Sequence, residues 1–488
     1  MKLKLILIFL AVLLQFSCNK WMELLPPEGL TREEFWKTKE DVKSVVMGAY
    51  AAFASMDDLL FKYGEFRTDM VKGGNNQALD EQKIMAGNIY PDNSMCNWSS
   101  FYKVINYCNE VIKNAPLVQA KDKTFTDYQL KGYLSEAYFL RSLTYFYLVR
   151  IFKDVPLVLE PTESDNANVY LPKTDGDTIL VHIVSDLKEV RNYAAYDYPT
   201  LKETKGRATK SAIDALLADI SLWTFDYTSC ISYVENIEAA NKYELLVLDE
   251  WFRLFYPGNS LESIFELQYD NSLLQKNHTY DLTNYNGFNY LPSDKAVQLF
   301  TQTNAQAEKK RGPGSIALGS QTVYTIWKYV GFSDDGISVR PATIKNSCGW
   351  IVYRYADVLL MKAEALSQLG RFPEAFQIIH QIRSGAGVPD LGITNSAYYY
   401  ENAILEERAL EFAFEGKRWF DLLRMGRRNN FNRKLELIEI IVSNVPSNQK
   451  RILKIKLANP LGWYMPIYKL EVERNLNLVQ NPYYNISQ

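Results

Sequence analysis

Residues 402–427 (NAILEERALEFAFEGKRWFDLLRMGR) carry the clearest pattern of hydrophobic and polar positions in the chain. At 3.6 residues per turn, apolar side chains fall on one face of a helix and a second apolar pair falls on the opposite side. The first face comprises Leu405, Ala409, Phe412, Gly416, Trp419 or Phe420, and Leu423, and the second comprises Leu410 and Phe414. A helix that is apolar on two sides is expected to be covered on both, so we predict a central structural helix here.

The charged residues of this helix lie between its two apolar faces, where water cannot solvate all of them. We therefore expect them to pair along the helix at a spacing of three residues, Arg408 with Glu411 and Glu415 with Arg418. Gly416 would cost about 1 kcal/mol relative to alanine in a helix interior. It is expected to mark a break in the helix or a close approach of another backbone.

Further helices follow from the same periodicity. They are predicted from Thr31, with Glu34 completing a capping box, through Tyr50, and over Tyr133–Phe152, Ile179–Tyr193, Gly206–Tyr227, Trp350–Gly370 and Pro373–Arg383. Small residues on some of these helices permit close helix pairs, which are typical of tetratricopeptide-like repeats. One alternating stretch, SIFELQY, predicts a short strand. The expected fold is all-α, a tetratricopeptide-like superhelix of helical hairpins with long irregular loop insertions and a few short strands.

Two irregular regions interrupt the helices, Tyr63–Asn97 and Asn271–Ser347. Both are rich in Gly and Asn, and the second is also rich in aromatic residues, without a sustained period. Aromatic rings stack on the C–H face of a sugar, and amide, acid and guanidinium groups bond its hydroxyls. The candidate ligand-binding residues are Trp98, Arg67, Asp69, Asn75, Asn76, Tyr280, Tyr290 and Trp327. For any single ring, packing against the helices is the favoured alternative, and Trp98 could simply close the start of a helix.

The N-terminus has the features of an export signal. Lys2 and Lys4 precede the apolar run Leu5–Leu14, which is too short to span a bilayer comfortably. Ser17 then stands before Cys18, as in a lipoprotein cleavage site. We predict a signal peptide over residues 1–17 and a lipidated Cys18, since acyl chains anchor a protein by about 0.8 kcal/mol per buried CH₂.

Composition excludes several other functions. The chain has 488 residues and a net charge of −3, which argues against nucleic acid as a partner. The remaining cysteines, Cys96, Cys108, Cys230 and Cys348, are scattered and show no deducible pairing, so free thiols are favoured. With only three histidines, none at ligand spacing, we expect no metal site and no cofactor.

Several segments resemble the SusD/RagB family, outer-membrane lipoproteins of Bacteroidetes that bind nutrients for a TonB-dependent transporter. They are ILEERALEFAFEGKRWFDLLRMGR, LPPEGLTREEFWKTKEDVKSVVMGAYAAF, FLRSLTYFYLVRIFKDVPLV and the closing GWYMPIYKLEVERNLNLVQNPYY. The resemblance implies a tether over residues 18–30, an N-terminal helical region over 31–270 and a C-terminal region over 271–488, the last two forming one globular body.

The resemblance also implies a function: a lipid-anchored outer-membrane protein, displayed on the cell surface, that captures glycan for a SusC-like TonB-dependent transporter. A peptide-binding uptake protein of the RagB type and a tetratricopeptide scaffold that binds only protein are the alternatives. A glycosidase would need two carboxylates flanking a cleft. Glu407 or Glu411 could supply one, but nothing in the sequence places a second opposite, so we predict a protein without enzymatic activity.

Overall fold

The computed structural model of the protein describes residues 32–162, 170–283, 289–302, 311–318, 323–331 and 346–485. The predicted signal peptide, Cys18 and Thr31 lie outside these residues. Helices dominate the described part and strands are short, which confirms the predicted fold class.

The elements follow one another along the chain in this order. The helices are α1 Arg32–Phe35, α2 Lys39–Ala54, α3 Asp57–Glu65, α4 Leu79–Met85, α5 Ser99–Lys121, α6 Asp127–Phe152, α7 Gly176–Val190, α8 Leu201–Gly206, α9 Lys210–Trp223, α10 Tyr227–Ala239, α11 Thr279–Thr283, α12 Asp294–Gln302, α13 Arg311–Ser315, α14 Tyr355–Gln368, α15 Phe372–Gly385, α16 Ala397–Glu411, α17 Arg418–Arg427, α18 Lys434–Ile441, α19 Ser447–Leu457 and α20 Lys469–Arg474. The strands are β1 Val71–Gly73, β2 Ser263–Leu267, β3 Tyr290–Pro292, β4 Ile316–Leu318, β5 Tyr324–Ile326 and β6 Trp350–Arg354.

Consecutive helices pack as hairpins, α5 on α6, α9 on α10 and α14 on α15, and the hairpins stack on one another. Helix α6 is buried on almost every side from Ser135 onward. Its start is fixed by a capping box between Thr126 and Gln129, and Lys153, at φ 70°, ends it. The predicted helix Tyr133–Phe152 is therefore correct and begins earlier. In α9, Ala212 and Ala215 are fully buried, which allows the close helix contact predicted for them.

Two of the predicted helices are interrupted. The helix expected from Thr31 to Tyr50 ends at Phe35, because Thr38 forms a second capping box with Asp41 and starts α2. The helix expected over Gly206–Tyr227 ends at Trp223, and α10 begins at Tyr227. Both interruptions are local capping events that hydrophobic periodicity does not reveal.

Residues 402–427 also form two helices, α16 and α17, joined by a turn at residues 412–417. Gly416 lies in this turn at φ 71°, a conformation that favours glycine. A Cβ on Gly416 would lie 2.9 Å from the carbonyl oxygen of Leu60, and one on Gly64 would lie 2.0 Å from the oxygen of Gly416. The expected break and close backbone approach are both confirmed, whereas the single continuous helix is wrong.

The two predicted ion pairs, Arg408 with Glu411 and Glu415 with Arg418, are also wrong, because these four residues bond partners on other elements. Arg408 bonds Asp357 at 2.8 Å, and Arg418 bonds both carboxylate oxygens of Asp69, at 2.8 and 2.9 Å. Bidentate contacts between buried groups are stronger than exposed contacts between neighbours on one helix. The charged residues therefore pair with groups that are distant in the sequence.

Glu411 and Glu415 belong to a group of buried ions that we call the buried charge cluster. It contains Glu262, Glu407, Glu411, Glu415, Arg311, Lys328, Arg354 and Arg383. Four carboxylates face four cations, so the cluster is neutral overall. Arg354 is fully buried at its centre and contacts three of the carboxylates.

The described strands form three antiparallel pairs, β1 with β3, β2 with β6, and β4 with β5. The predicted strand SIFELQY is β2. Residues Trp350–Arg354, predicted as the start of the helix that runs to Gly370, instead form β6 on β2, and the helix begins at Tyr355. In the first pair Val71 lies opposite Pro292 and Gly73 opposite Tyr290. This pairing joins the two irregular regions, which the sequence treats as separate insertions. The first of them also contains α4, which is too short to show a helical period.

Candidate functional site

A cavity of about 490 Å³ opens between the first irregular region and the C-terminal part of the chain. We call it the Arg67 pocket. The turn after α3 supplies Arg67, the loop after α4 supplies Tyr90, and α17 supplies Trp419. Helix α19 and the C-terminal segment add Lys456 and Tyr484. The pocket is thus assembled from segments at both ends of the described chain.

Arg67 lies at the wall of this pocket with only 8% of its surface exposed. Its Nη1 donates to the carbonyl oxygen of Trp463 at 2.9 Å, and its guanidinium carbon lies 4.0 Å from the ring centre of Trp419. Within the described residues Nη2 has no hydrogen-bond partner. Burial lowers the pKa of Arg67 to about 10, so it keeps its charge at neutral pH. A buried guanidinium held by a carbonyl and a ring, with no carboxylate, retains the capacity to bond a ligand acceptor.

Apolar and aromatic side chains line most of the remaining surface. Ile84, Met85 and Leu453 are among the aliphatic residues. Tyr90 is 47% exposed at the rim, so about half of its surface is open to solvent. Tyr484 donates its hydroxyl to the Tyr464 carbonyl at 2.8 Å, which holds its ring in place. An apolar cavity with few polar groups and an accessible ring is typical of a small-ligand site.

Lys456 is the second cation of the pocket. Its amino group donates to the carbonyl of Gly87 at 3.0 Å and to the side chain of Asn88 at 2.5 Å. Burial lowers its pKa. Both contacts tie α19 to the loop after α4, so Lys456 holds two walls of the pocket together.

Three of the predicted ligand residues are corrected by the structure. Asp69 is buried and its carboxylate is used by Arg418. Trp98 is 4% exposed and packs edge-on against Phe152, with ring centres 5.4 Å apart. Tyr290 is buried and donates its hydroxyl to Glu81. The loop composition that suggested exposure does not show which loop side chains turn inward.

The other predicted residues remain at the surface. Asn75 and Asn76 are exposed directly after β1, and Gly74 bonds the carbonyl of Asn289 at 2.9 Å, which places them beside the second irregular region. Tyr280 and Trp327 are half-buried. None of these four lines the Arg67 pocket. Their role as ligand residues stays a prediction.

The predicted ligand residues include Arg67 but none of its neighbours in the pocket. Tyr90 lies inside the first irregular region, where a tyrosine before a proline gave no separate signal. Tyr483 and Tyr484 follow a proline near the C-terminus, with ring centres 4.7 Å apart. Because these tyrosines are far from Arg67 in the sequence, only the folded chain shows that they line the same pocket.

The carboxylates considered for catalysis are already paired. Arg311 Nη1 bonds Glu407 at 2.8 Å and Glu411 at 2.7 Å, and all three side chains are buried. Among the described residues, no group of three or more His, Cys, Asp or Glu side chains could hold a metal ion. All four described cysteines are buried as thiols, outside disulfide bonds.

Two family models match the chain. Residues 265–484 match the model described as the SusD family, and residues 20–222 match a second model described as starch-binding and associating with the outer membrane. Among curated relatives, SusD-like protein P38 of Formosa agariphila is 27% identical over 87% of this chain and 90% of its own length. A SusD-like protein of Bacteroides ovatus is 23% identical over 87% of this chain and 82% of its own length.

Solved structures share the same fold. A SusD superfamily protein from Bacteroides vulgatus superposes with a TM-score of 0.75 at 20% identity, over 92% of this chain and all of that one. A structure named as a laminarin-binding SusD-like protein superposes with a TM-score of 0.72, also at 20% identity, over 91% of this chain and 99% of that one.

Proposed function

The chain belongs to the SusD family, and from this premise we propose that it is a surface lipoprotein that captures glycan and delivers it to a SusC-like TonB-dependent transporter. Cys18, acylated after removal of the signal peptide, anchors it to the outer membrane through the tether at residues 18–30. The family's starch-binding and outer-membrane description supports this assignment, as does the similar fold that is named as laminarin-binding.

The Arg67 pocket is the observation that carries the proposal. Its volume of about 490 Å³ falls inside the range of small-ligand sites, about 300–1,000 Å³. Tyr90 provides a ring for stacking on a sugar, and Arg67 provides a donor for its oxygens. These contacts hold the ligand without hydrolysing it, because Glu407 and Glu411, the carboxylates considered for catalysis, form ion pairs with Arg311.

A binding experiment on one rim residue tests this site. The soluble chain from Asn19 onward is titrated by calorimetry with a panel of neutral oligosaccharides, as wild type and as Tyr90→Ala. An aromatic contact contributes about 0.5–1.5 kcal/mol beyond burial, so Kd should rise roughly threefold to tenfold. Tyr128→Ala is the matched control, because Tyr128 is 75% exposed on α6 and does not line the pocket. Equal affinities for Tyr90→Ala and wild type would remove the Arg67 pocket from the proposal.

Arg67 also favours a second candidate, a peptide ligand. A guanidinium without a carboxylate partner suits the terminal carboxylate of a short peptide. The same calorimetry with tripeptides and their C-terminal amides separates the two ligands. Binding of peptide acids, with silence across the oligosaccharides, would replace glycan by peptide. Silence in both panels, with the transporter still retained in a pull-down, would leave a scaffold that binds only protein.

A further inference from the structure

A second cavity, of about 530 Å³, lies away from the Arg67 pocket. Helix α2 contributes Lys43 and Tyr50, α8 contributes Lys202, and the segment after β2 contributes Lys276 and His278. We call it the basic pocket. It shares no lining residue with the Arg67 pocket, so the two can be perturbed separately.

Lysines outside close ion pairs distinguish this cavity. Lys43, Lys202 and Lys276 are exposed at its edge, and none has an ion-pair partner in the described part of the chain. Glu203 is the one carboxylate among the described lining residues, and it lies 3.7 Å from Arg207. Arg207 in turn bonds the buried Glu136 at 2.9 and 2.7 Å. Lys202 also interacts with the carboxylate of Asp270. With Asp270 set against Lys202, the three lysines still leave a positive excess in a protein whose net charge is −3.

His278 adds a titratable cation at the same place. Its Nδ1 lies 2.7 Å from Oδ1 of Asp57, which is fully buried, while the imidazole is half exposed. The hydrogen bond to Asp57 raises the pKa of His278 above its ordinary value, with smaller contributions from Asp58 and Asp281. In the imidazole ring, Nε2 lies on the side away from Nδ1, the atom that contacts Asp57. His278 thus increases the positive charge of the basic pocket as the pH falls through its pKa.

The walls of the basic pocket are mainly apolar and aromatic. Met47, Ala51 and Leu274 line it together with the rings of Tyr50 and Tyr269. The Tyr50 hydroxyl accepts a hydrogen bond from the Ala208 amide at 2.8 Å, which fixes the ring. A free phosphate needs no apolar wall, and a flat bilayer surface does not enter a cavity. A ring that carries an anionic group matches both the walls and the lysines.

We propose that the basic pocket is a second ligand site, which binds an acidic sugar through its carboxylate or sulfate group. The anionic group pairs with Lys43, Lys202 and Lys276, and the sugar ring lies against the Tyr50 wall. This goes beyond glycan capture at the Arg67 pocket, because it assigns a separate site and an anionic ligand class.

The test compares two triple variants of the soluble chain from Asn19 onward. The first removes the pocket lysines (Lys43→Gln, Lys202→Gln, Lys276→Gln). The second is a control with the same charge change at exposed lysines elsewhere (Lys103→Gln, Lys121→Gln, Lys188→Gln). Calorimetry measures Kd for oligogalacturonate, which carries carboxylates, for a sulfated chondroitin oligosaccharide, and for a neutral oligosaccharide of equal length.

Wild type should bind at least one acidic oligosaccharide, and the pocket variant should bind it roughly tenfold more weakly, since each exposed ion pair contributes about 0.2–1 kcal/mol. The control should stay within about twofold of wild type. Affinity should fall with added salt, because these charges are exposed to solvent. The carboxylated and sulfated probes show which anion the site prefers.

Three results would overturn the proposal: no affinity for either acidic probe, equal weakening by the two triple variants, or binding of phosphatidylglycerol vesicles by wild type with no oligosaccharide bound. Neutral-glycan binding reports on the Arg67 pocket. Weaker neutral-glycan binding in Tyr90→Ala but not in the pocket-lysine variant would therefore show that the two sites act independently. Acidic binding that tightens from pH 8 to pH 6 in wild type, but not in His278→Gln, would support the role of His278.

Discussion

Replacing Arg354 by methionine should destabilise the fold by about 3–5 kcal/mol at pH 7, the range for breaking a buried ion pair from one side. The Arg354 guanidinium bonds Glu262 at 2.6 Å, Glu411 at 2.6 Å and both oxygens of Glu415 at 3.0 Å. It also donates to the backbone oxygen of Glu411 at 2.8 Å. Methionine fills part of the volume but leaves all of these acceptors without their donor.

The three carboxylates that Arg354 contacts would lose different shares of their hydrogen bonds. Lys328 still bonds Glu415 at 2.9 Å, and Arg311 still bonds Glu411 at 2.7 Å. Glu262 would lose its cation and keep the backbone amide of Leu246 at 3.1 Å. Burial already raises the pKa of Glu262, and Arg354 is the main group that lowers it.

The free energy of protonating Glu262 sets an upper limit on how much the loss of its cation destabilises the fold. A buried carboxylate without a cation takes up a proton, and protonating a glutamate at pH 7 costs about 1.4 kcal/mol for each unit above its ordinary pKa of about 4.3, or at most about 4 kcal/mol. The cost falls as the pH approaches that ordinary value. The difference between wild type and Arg354→Met should therefore shrink by about 2–3 kcal/mol between pH 7 and pH 5.

Urea unfolding followed by far-ultraviolet circular dichroism at both pH values measures these differences. Arg253→Met is the control, because Arg253 is half exposed and pairs with Glu250 at 3.2 Å at the surface. It should cost less than about 1 kcal/mol at either pH. A penalty for Arg354→Met below about 1 kcal/mol at pH 7, or one that is the same at pH 5, would refute this reasoning.

Three further predictions concern the turn, the histidine and the anchor. Gly416→Ala should lower the free energy of unfolding in urea by at least about 2 kcal/mol, since the left-handed conformation alone costs about 1–2 kcal/mol. The control Gly48→Ala, with free space in the middle of α2, should raise it by about 0.5–1 kcal/mol. Equal effects of the two substitutions would contradict this prediction. Asp57→Asn should lower the pKa of His278 in the folded protein, measured by NMR titration. Protonated His278 stabilises the wild type below about pH 6.5, and this stabilisation is lost as the pH rises through the raised pKa, so the variant should have less of it. An unchanged titration of His278 would contradict the prediction. Cys18→Ala should move the protein from the membrane fraction to the soluble fraction and abolish palmitate labelling, and its retention in the membrane fraction would refute lipid anchoring.

Features determined by neighbouring residues were predictable from the sequence. The period of apolar positions gave the hairpin helices, and Gly416 gave the break between α16 and α17 because the cost of glycine in a helix is local. Alternation gave strand β2. Arg67 was a ligand candidate because of its loop placement and residue type; it lines a pocket, and its ligand role stays a prediction.

Features determined by distant residues were not predictable. Arg408 and Glu411 lie three residues apart on one helix, and only the folded chain brings Asp357 and Arg354 close enough to take them instead. Whether a loop ring turns inward depends on the space left by the helices, as Trp98 shows. The walls of the Arg67 pocket come from segments that no sequence pattern connects.

The contact between Arg67 and Trp463 spans 396 residues, and the one between Asp69 and Arg418 spans 349. Contacts of such high sequence separation form slowly, because the entropy of closing a long loop opposes them. During synthesis, the residues around Arg67 emerge long before the residues that complete their surroundings. The apolar side chains of the early segment are therefore uncovered until the last helices are made, and we expect chaperones to protect them during this interval.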